Sequence, residues 1–353
     1  MASSIAAMNS RLAHHLREAQ PRMQEEYWYS TEDRSWKSTT STKTSVPVNT
    51  TPPINTKAIR LFSWNIDFQA GYSQDRMEAA LLHLNELVSS TPHEVSVVVF
   101  LQEMEPTDLR QIQESKWIQE RFTITDINNR HYRSPEYGTT TLVDRRLKTQ
   151  SVFRVPWISK FGRDGLFVDI ALTNPQSPEE TSKVLRLCNT HLESLIADPP
   201  FRPLQLAQAS TILAETNVAC ALLAGDMNAI QPFDRTLHSE LNLKDAYLEL
   251  GGQEDSQDGY TWGYHIPQWK LDRFGYSRMD KILLRGAVLP EKFERIGMGV
   301  VVAEHMRGEV EAALEGPWVT DHYGVMGDFK LTEGWELQGC GDVEGGQTRS
   351  MLS

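Results

Sequence analysis

The stretch Cys220-Ala221-Leu222-Leu223-Ala224-Gly225-Asp226-Met227-Asn228 passes from apolar to polar within two residues. A short apolar run that closes on Gly and Asp reads as a buried strand ending in a turn. The pattern recurs along the chain. Runs at 60–64, 95–101, 184–187, 281–284 and 323–329 also read as strands. Between them, Met77, Leu81, Leu84 and Val88 fall on one helical face, as do Leu206, Ala209 and Leu213 after Pro203. Short strands interleaved with helices predict an α/β fold of sheets covered by helices. No repeat at a 20–50-residue period is present.

The strand ends share a chemistry. The first closes on Ser63-Trp64-Asn65-Ile66-Asp67 and the second on Leu101-Gln102-Glu103. The third closes on Thr190-His191-Leu192-Glu193-Ser194, and the fourth on Gly225-Asp226-Met227-Asn228. Arg278-Met279-Asp280-Lys281-Ile282 and Thr320-Asp321-His322 complete the set. In α/β folds functional groups gather where strands give way to loops. Acids, amides and histidines at these places suit a hard cation and a phosphoryl group. Mg²⁺ takes one or two carboxylates and keeps waters, while His and Asn donate to phosphate oxygens. Singly each motif has a plain reading: Gly-Asp-x-Asn as a turn, Glu103 as a solvated strand end, His191 as a hydrogen-bonded sheet-edge histidine. Their joint occurrence in one order favours a site.

Composition sets the bounds. A hydrophobic share of 40% and a charged share of 23% exclude a wholly disordered chain and supply a large core. No apolar run approaches the ~18 residues of a membrane-crossing helix, so no membrane partner is expected. Three cysteines exclude a disulfide scaffold and fit a reducing compartment. Cys188 and Cys220 fall in expected strands, and no cysteine has zinc-ligand spacing. The net charge of −12 argues against non-specific coating of nucleic acid, so a bound polyanion needs a local basic patch or a metal.

The ordered motifs at 63–67, 101–103, 190–194, 225–228, 260–262, 278–282 and 321–322 resemble the endonuclease/exonuclease/phosphatase superfamily. The resemblance spans about residues 60–331. It implies a four-layer α-β-β-α sandwich and a metal-dependent phosphoesterase. Thr-His-Leu-Glu-Ser and Tyr-Thr-Trp resemble the branch that hydrolyses 5′-phosphotyrosyl-DNA bonds, a repair reaction on trapped topoisomerase adducts. That branch usually carries an Arg two residues after the Asn of Gly-Asp-x-Asn. Ile230 stands there instead, so a weaker grip on the strand is expected.

The chemistry assigns roles. A phosphodiester resists water because its charge repels the nucleophile, and a metal on a non-bridging oxygen offsets that charge. Glu103 is the expected principal metal ligand, with Asn65 supporting it and Asp321 near the metal, which is Mg²⁺ or Mn²⁺ in its place. Asp226 is the expected general base, and Asn228 is expected to orient the attacking water or to donate to a phosphate oxygen. His191 and His322 donate to the transition state. The family pattern pairs His322 with Asp280, which fixes its tautomer. Ser194 donates to the scissile phosphate. A tyrosine phenol has a pKa of about 10, so it leaves without strong general-acid help, and one metal suffices.

A DNA end needs charge and stacking surfaces. Arg145, Arg146, Lys148, Arg154, Lys160 and Arg163 form the most basic stretch, read either as a strand-binding patch or as a solvated hairpin face. Trp262 is a stacking platform or a core residue; Trp269 and Phe274 wall the site or pack their loop. Other members' substrates remain alternatives: an abasic site, poly(A), or a lipid or inositol phosphate. So does an inactive phosphoesterase-like binding protein, although Glu103, Asp226, Asn228, Asp280 and His322 are all present.

Three segments are expected. Residues 58–332 form the catalytic domain. Residues 1–57 form a largely flexible extension, with a short helix within 1–26 that reads as a frayed end or a mitochondrial targeting peptide, and a polar linker at 38–51. Residues 333–353 form a flexible, acidic tail. No secretory signal is present, so an intracellular monomer, nuclear, cytoplasmic or mitochondrial, is expected.

Overall fold

The structure, a computed structural model, describes residues 19–39, 53–177, 183–314 and 316–340. Two sheets stack face to face. In one the strand order is Val288–Ile296, Gly324–Leu331, Ala58–Asn65, Ser96–Met104, Gly138–Asp144, Phe122–Ile124, Tyr27–Ser30 and Ser35–Ser38. In the other it is Arg22–Met23, Thr149–Pro156, Asp164–Thr173, Val184–His191, Val218–Asp226, Asp280–Gly286 and Lys244–Asp245, with Glu336–Leu337 added against Asp164–Thr173. All six strands expected from the apolar runs are present.

Side-chain alternation builds the layers. Ile59 and Leu61 point between the sheets, where they meet Val98, Phe100, Leu187 and Leu222. Their neighbours Phe62 and Trp64 point outward and bury against Met77, Leu84 and Val88 of the helix Ser73–Ser89. On the far side Cys188, Ala221 and Leu223 pack against Leu206, Ala209 and Leu213 of the helix Arg202–Leu213. The result is the four-layer α-β-β-α sandwich. Among the described residues, no helix is long and apolar enough to cross a membrane.

Each sheet holds one parallel pair near its centre: Ala58–Asn65 with Ser96–Met104, and Val184–His191 with Val218–Asp226. Parallel strands end side by side. Asn65 therefore lies opposite Gln102, and His191 opposite Asp226. Asp280 begins the antiparallel strand beside Asp226. Beneath these ends the sheets are tied by buried amides. Gln102 Nε2 donates to Ser63 Oγ at 3.1 Å and to Asn189 Oδ1 at 2.9 Å, across the two layers.

Both chain ends differ from expectation. Within 1–57, residues 22–38 contribute three strands. Arg22–Met23 extends one sheet and Tyr27–Ser30 the other, with Ala19, Tyr27 and Trp28 buried. Glu26 accepts from Thr123 Oγ1 at 2.5 Å and Thr149 Oγ1 at 3.1 Å, one from each sheet. This segment is structural because its aromatics cover the sheet edges. Within 333–353, Glu336–Leu337 pairs with Leu172 and Thr173, and Trp335 and Leu337 join the inter-sheet core. Of the short helix expected within 1–26, residues 19–26 form no helix and include the strand Arg22–Met23; residues 1–18, most of the linker and the tail beyond residue 340 lie outside the described residues.

Candidate active site

The strand ends open into a cavity of about 880 Å³. Glu103, His191, Ser194, Asp226, Asn228, Trp262, Asp321 and His322 line it together with Asp67 and Arg163. Asn65 and Asp280 lie behind this surface, in contact with the residues that line it.

Local backbone places the acids. The pairing of Ser96–Met104 with Gly138–Asp144 shifts register between Leu101 and Met104, and Glu103 adopts a left-handed φ of 57°. A non-glycine residue there is strained by about 1–3 kcal/mol. The conformation is held by its own carboxylate, which accepts from Phe68 N at 3.0 Å and Asn65 Nδ2 at 3.3 Å. Gly225 before Asp226 has φ 146°, and a Cβ there would stand 1.7 Å from Thr190 O. Only glycine lets the parallel partner strand approach so closely.

Asp226 is met by donors on both carboxylate oxygens. Its Oδ1 accepts from Asn228 N at 2.8 Å. Its Oδ2 accepts from Asn65 Nδ2 at 3.1 Å, Asn228 Nδ2 at 3.2 Å and His191 Nε2 at 3.2 Å. Burial acts to raise its pKa, but His322, His191 and these hydrogen bonds outweigh it and hold the carboxyl well below the usual range. Asn65 Oδ1 is taken by Asp67 N at 2.9 Å. Asn65 therefore turns its NH₂ toward Glu103 and Asp226 and orients both.

Two histidines flank Asp226 in different charge states. His322 Nδ1 lies 2.8 Å from Asp280 Oδ2, and its Nε2 is 3.8 Å from both Asp226 and Asp321. Burial opposes the charge, but Asp280, Asp226 and Asp321 raise the His322 pKa well above normal. Burial raises Asp280 itself, with His322 pulling the other way. His322 is thus held as an imidazolium, with Nδ1–H committed to Asp280 and Nε2–H toward Asp226 and Asp321. His191 Nδ1 is 2.6 Å from Arg163 Nη1. A guanidinium can only donate, so Nδ1 is the acceptor and Nε2 carries the proton. Burial and then Arg163 depress the His191 pKa to about 4, which keeps it neutral.

The donor set fits a cation. Glu103 is pushed up to about 7 by burial and then by Asp67, and Asp67 to about 6 by burial and then by Asp321. Glu103 and Asp67 crowd their charges at one place, and a divalent cation relieves that repulsion. Glu103, His191 and Asp226 offer atoms within 4.8 Å of one another, as do Asp226, Asp280 and His322. The second group contains a charged imidazolium, which is no ligand. In the first, His191 presents an N–H. What is left are carboxylate oxygens, the hard donors that suit a divalent cation, with Asp67 and Asp321 lining the same cavity as Glu103.

The basic stretch is divided by the fold. Arg154 is buried between Asp126 and Asp164. Arg146 is bidentate on Asp144, and with Arg145 it lines a separate cavity beside Trp28 and Trp117. Lys160 and Arg163 alone of the stretch line the site cavity. Trp262 is 9% exposed, donates Nε1 to Asp321 Oδ2 at 2.9 Å and sets its ring edge-on to Phe274. It is part of the wall and a support for Asp321. Phe274 lines the cavity and is half exposed, whereas Trp269 is exposed and outside the lining. Ile230 lines the cavity as an apolar residue.

Several participants were not assigned from sequence. Arg163 was one cation among six, and its place against His191 is visible only in three dimensions. Asp67 was quoted within its motif without a role. Tyr137, which stacks on Phe68 and lies under the Arg163 guanidinium, carries no sequence signature. Thr261 accepts the N–H groups of Met279 and Asp280, which explains the Thr of Tyr-Thr-Trp.

Residues 62–322 match the Endonuclease/Exonuclease/phosphatase family, and the chain belongs to it. Its members are phosphoester hydrolases. Among solved structures, the chain is similar in fold to tyrosyl-DNA phosphodiesterase 2 (TDP2). Zebrafish TDP2, solved in complex with a single-strand DNA product, is 21% identical with a TM-score of 0.57, over 77% of this chain and 98% of that one. A truncated TDP2 from Caenorhabditis elegans is 21% identical with a TM-score of 0.54, over 78% and 98%. An endonuclease/exonuclease/phosphatase from Bacteroides vulgatus is 16% identical with a TM-score of 0.51, over 78% and 99%. No curated protein matches the sequence significantly.

Proposed function

We propose that this chain is a divalent-metal-dependent phosphodiesterase that releases tyrosine from the 5′ end of DNA and leaves a 5′-phosphate. The observation that carries the proposal is the pair of oppositely prepared histidines across Asp226. One is charged by Asp280, the other neutral and fixed by Arg163, and both turn Nε2–H toward Asp226 at the lining of one cavity. Two such donors suit the non-bridging oxygens of a phosphodiester at the transition state.

Glu103, oriented by Asn65 and sharing its cavity with Asp67 and Asp321, would hold a divalent cation, which would supply charge neutralisation at a phosphoryl oxygen. The chain's own groups do the rest. Asp226, ionised, accepts a hydrogen bond from the attacking water and takes its proton as the oxygen bonds to phosphorus. Its basicity rises as His191 and His322 turn their protons toward the substrate. Asn228 fixes the Asp226 carboxylate through its backbone and side-chain N–H groups. The bond from phosphorus to the tyrosyl oxygen breaks in line with attack and the phenolate departs. With a leaving-group pKa near 10, no strong acid is needed. Ser194 and Arg163 lie together at 3.3 Å and donate to the phosphate.

The walls suit a strand end and an aromatic leaving group. Phe68, Tyr137, Phe161 and Phe274 line the cavity beside Trp262. Single-stranded ends are gripped by such stacking faces plus charge. The zebrafish TDP2 complex with a single-strand DNA product supports DNA as the ligand class. The proposed catalytic unit is wider than 58–332, because the strands Arg22–Met23, Tyr27–Ser30 and Ser35–Ser38 before it and Glu336–Leu337 after it belong to the same sheets.

A substrate panel tests the proposal. A 5′-phosphotyrosyl oligonucleotide is compared with its 3′ isomer, an abasic duplex, poly(A) and inositol phosphates. The 5′ tyrosyl substrate should be cleaved fastest. If it is cut no faster than an internal phosphodiester, the substrate reading fails and the broader phosphoesterase remains.

A further inference from the structure

We infer that Glu193 is a positioning residue that sets Arg163 against His191 by tying down the loop 157–163. The inference rests on the reading of the cavity as a phosphodiesterase site. Glu193 stands between His191 and Ser194, so it shares the strand end that delivers both. Its side chain turns away from the cavity and is 2% exposed.

A buried carboxylate needs partners. Glu193 has no Lys or Arg ion pair among the described residues. Its oxygens are met instead by the loop. Oε2 accepts from Ser159 Oγ at 2.5 Å, and Oε1 accepts from Lys160 N at 2.8 Å. Ser159 Oγ in turn accepts from Phe161 N at 3.0 Å and Arg163 N at 3.1 Å. Its single proton is thereby committed to Glu193, and the hydroxyl becomes the hub of the turn. Gln205 holds the other side. Its Oε1 accepts from Glu193 N at 2.8 Å and its Nε2 donates to Ile158 O at 2.9 Å.

The turn so fixed leads into Arg163. Gly162 passes through φ 70°, and a Cβ there would stand 3.1 Å from Ser134 N. The Arg163 guanidinium then reaches His191 Nδ1 at 2.6 Å and Ser194 Oγ at 3.3 Å. The carboxylate of 193, the cation of 163 and the imidazole of 191 form one closed unit, joined through backbone on one side and Ser159 on the other. A neutral aliphatic at 193 would fill the space but hold neither Ser159 nor Lys160. Glutamine keeps the size, yet it cannot accept from both the Ser159 hydroxyl and the Lys160 amide without turning its NH₂ toward one of them.

The test combines a mutant cycle with hydrogen exchange. Glu193→Gln should lower kcat/KM by about tenfold on a p-nitrophenyl phosphodiester and on the 5′-tyrosyl oligonucleotide alike, through loss of charge-assisted hydrogen bonds. Arg163→Met should lose more. The double variant should match Arg163→Met, because both act through the same guanidinium. Ser159→Ala, which is less buried, should behave as Glu193→Gln does. Amide exchange of Lys160, Phe161 and Arg163 should quicken in Glu193→Gln, while amides of the strand Val218–Asp226 stay protected. Losses that multiply in the double variant, or unchanged exchange at those three amides, would overturn the inference. If the wild-type chain cleaves the p-nitrophenyl diester but not the tyrosyl oligonucleotide, only the substrate proposal fails, and the cycle still decides the role of Glu193. If it cleaves neither, the exchange result decides it.

Discussion

Asp280 and His322 lie 2.8 Å apart in a buried pocket, and neither is prepared for its role without the other. Removing the histidine removes a donor to the phosphoryl group. Removing the charge of Asp280 leaves the imidazole less charged and free to rotate. His322→Ala and Asp280→Asn should both cripple turnover, the histidine change more. The double variant should lose less than the product of the two, since residues acting as a unit lose the same stabilisation once. Steady-state kcat for the four proteins measures this, and fully multiplicative losses would argue against the pair. Glu103 bears on the proposed cation. Excess chelator should abolish activity, and Mg²⁺ or Mn²⁺ should restore it. Glu103→Gln should raise the metal concentration needed for half-maximal rate while leaving the melting temperature intact or higher, because the variant removes a buried carboxyl pushed up to about 7. Full activity in chelator would sink the metal assignment. At this scale the acids and histidines were legible, because each stands at one end of an apolar run. The role of Arg163 was not: a guanidinium contact across 28 residues leaves no spacing to read.

The strands that frame the site were legible for a related reason. Their apolar runs are long, buried and bounded by turn chemistry, as in 218–226. The hairpin Tyr27–Ser30 and Ser35–Ser38 carried a weaker trace. Tyr-Trp-Tyr-Ser, then Thr-Glu-Asp-Arg, then Ser-Trp-Lys-Ser is an aromatic strand, a polar turn and a second strand. Its charged neighbours and the polar linker after it hide that pattern. Glu26 makes the hairpin's attachment dependent on pH. Burial lifts its pKa from 4.5 to about 7, with the hydrogen bonds from Thr123 and Thr149 pulling the other way. The folded protein therefore keeps this proton between those values, where the unfolded chain has lost it. Stability from this group is full below pH 4.5 and is lost as pH rises through about 7. A shift of this size corresponds to roughly 3 kcal/mol. Glu26→Gln should flatten that part of the profile and make the protein more stable at pH 8 than the wild type. Urea unfolding at pH 5 and pH 8 measures it; an unchanged difference between the two pH values in the variant would contradict the assignment.

At the scale of the molecule, the N-terminal strands join the two layers that the catalytic groups straddle. Arg22–Met23 pairs with Thr149–Pro156 in one sheet, and Tyr27–Ser30 pairs with Phe122–Ile124 in the other. Glu26, between them, accepts from both sheets. The polar groups of the site come from both layers too: Asn65 and Glu103 from one, His191, Asp226 and Asp280 from the other. Removing residues 19–39 therefore exposes the edge covered by Tyr27 and Trp28 and takes out a clamp between the layers. A chain that starts at residue 53 should melt well below one that starts at residue 19. Trp28→Ala alone should cost about 3–5 kcal/mol, the usual range for a buried aromatic. The catalytic groups all lie after residue 57, so at low temperature the shortened chain should keep most of its kcat on a short tyrosyl oligonucleotide. Activity should then fail in step with unfolding as temperature rises. Calorimetry and initial rates on the two chains, run across the same temperatures, separate the outcomes. Equal melting temperatures would mean that these strands add nothing to the fold. A large loss of kcat while the shortened chain is still folded would mean that the N-terminal strands set the distance between the layers, and with it the placing of Glu103 against Asp226.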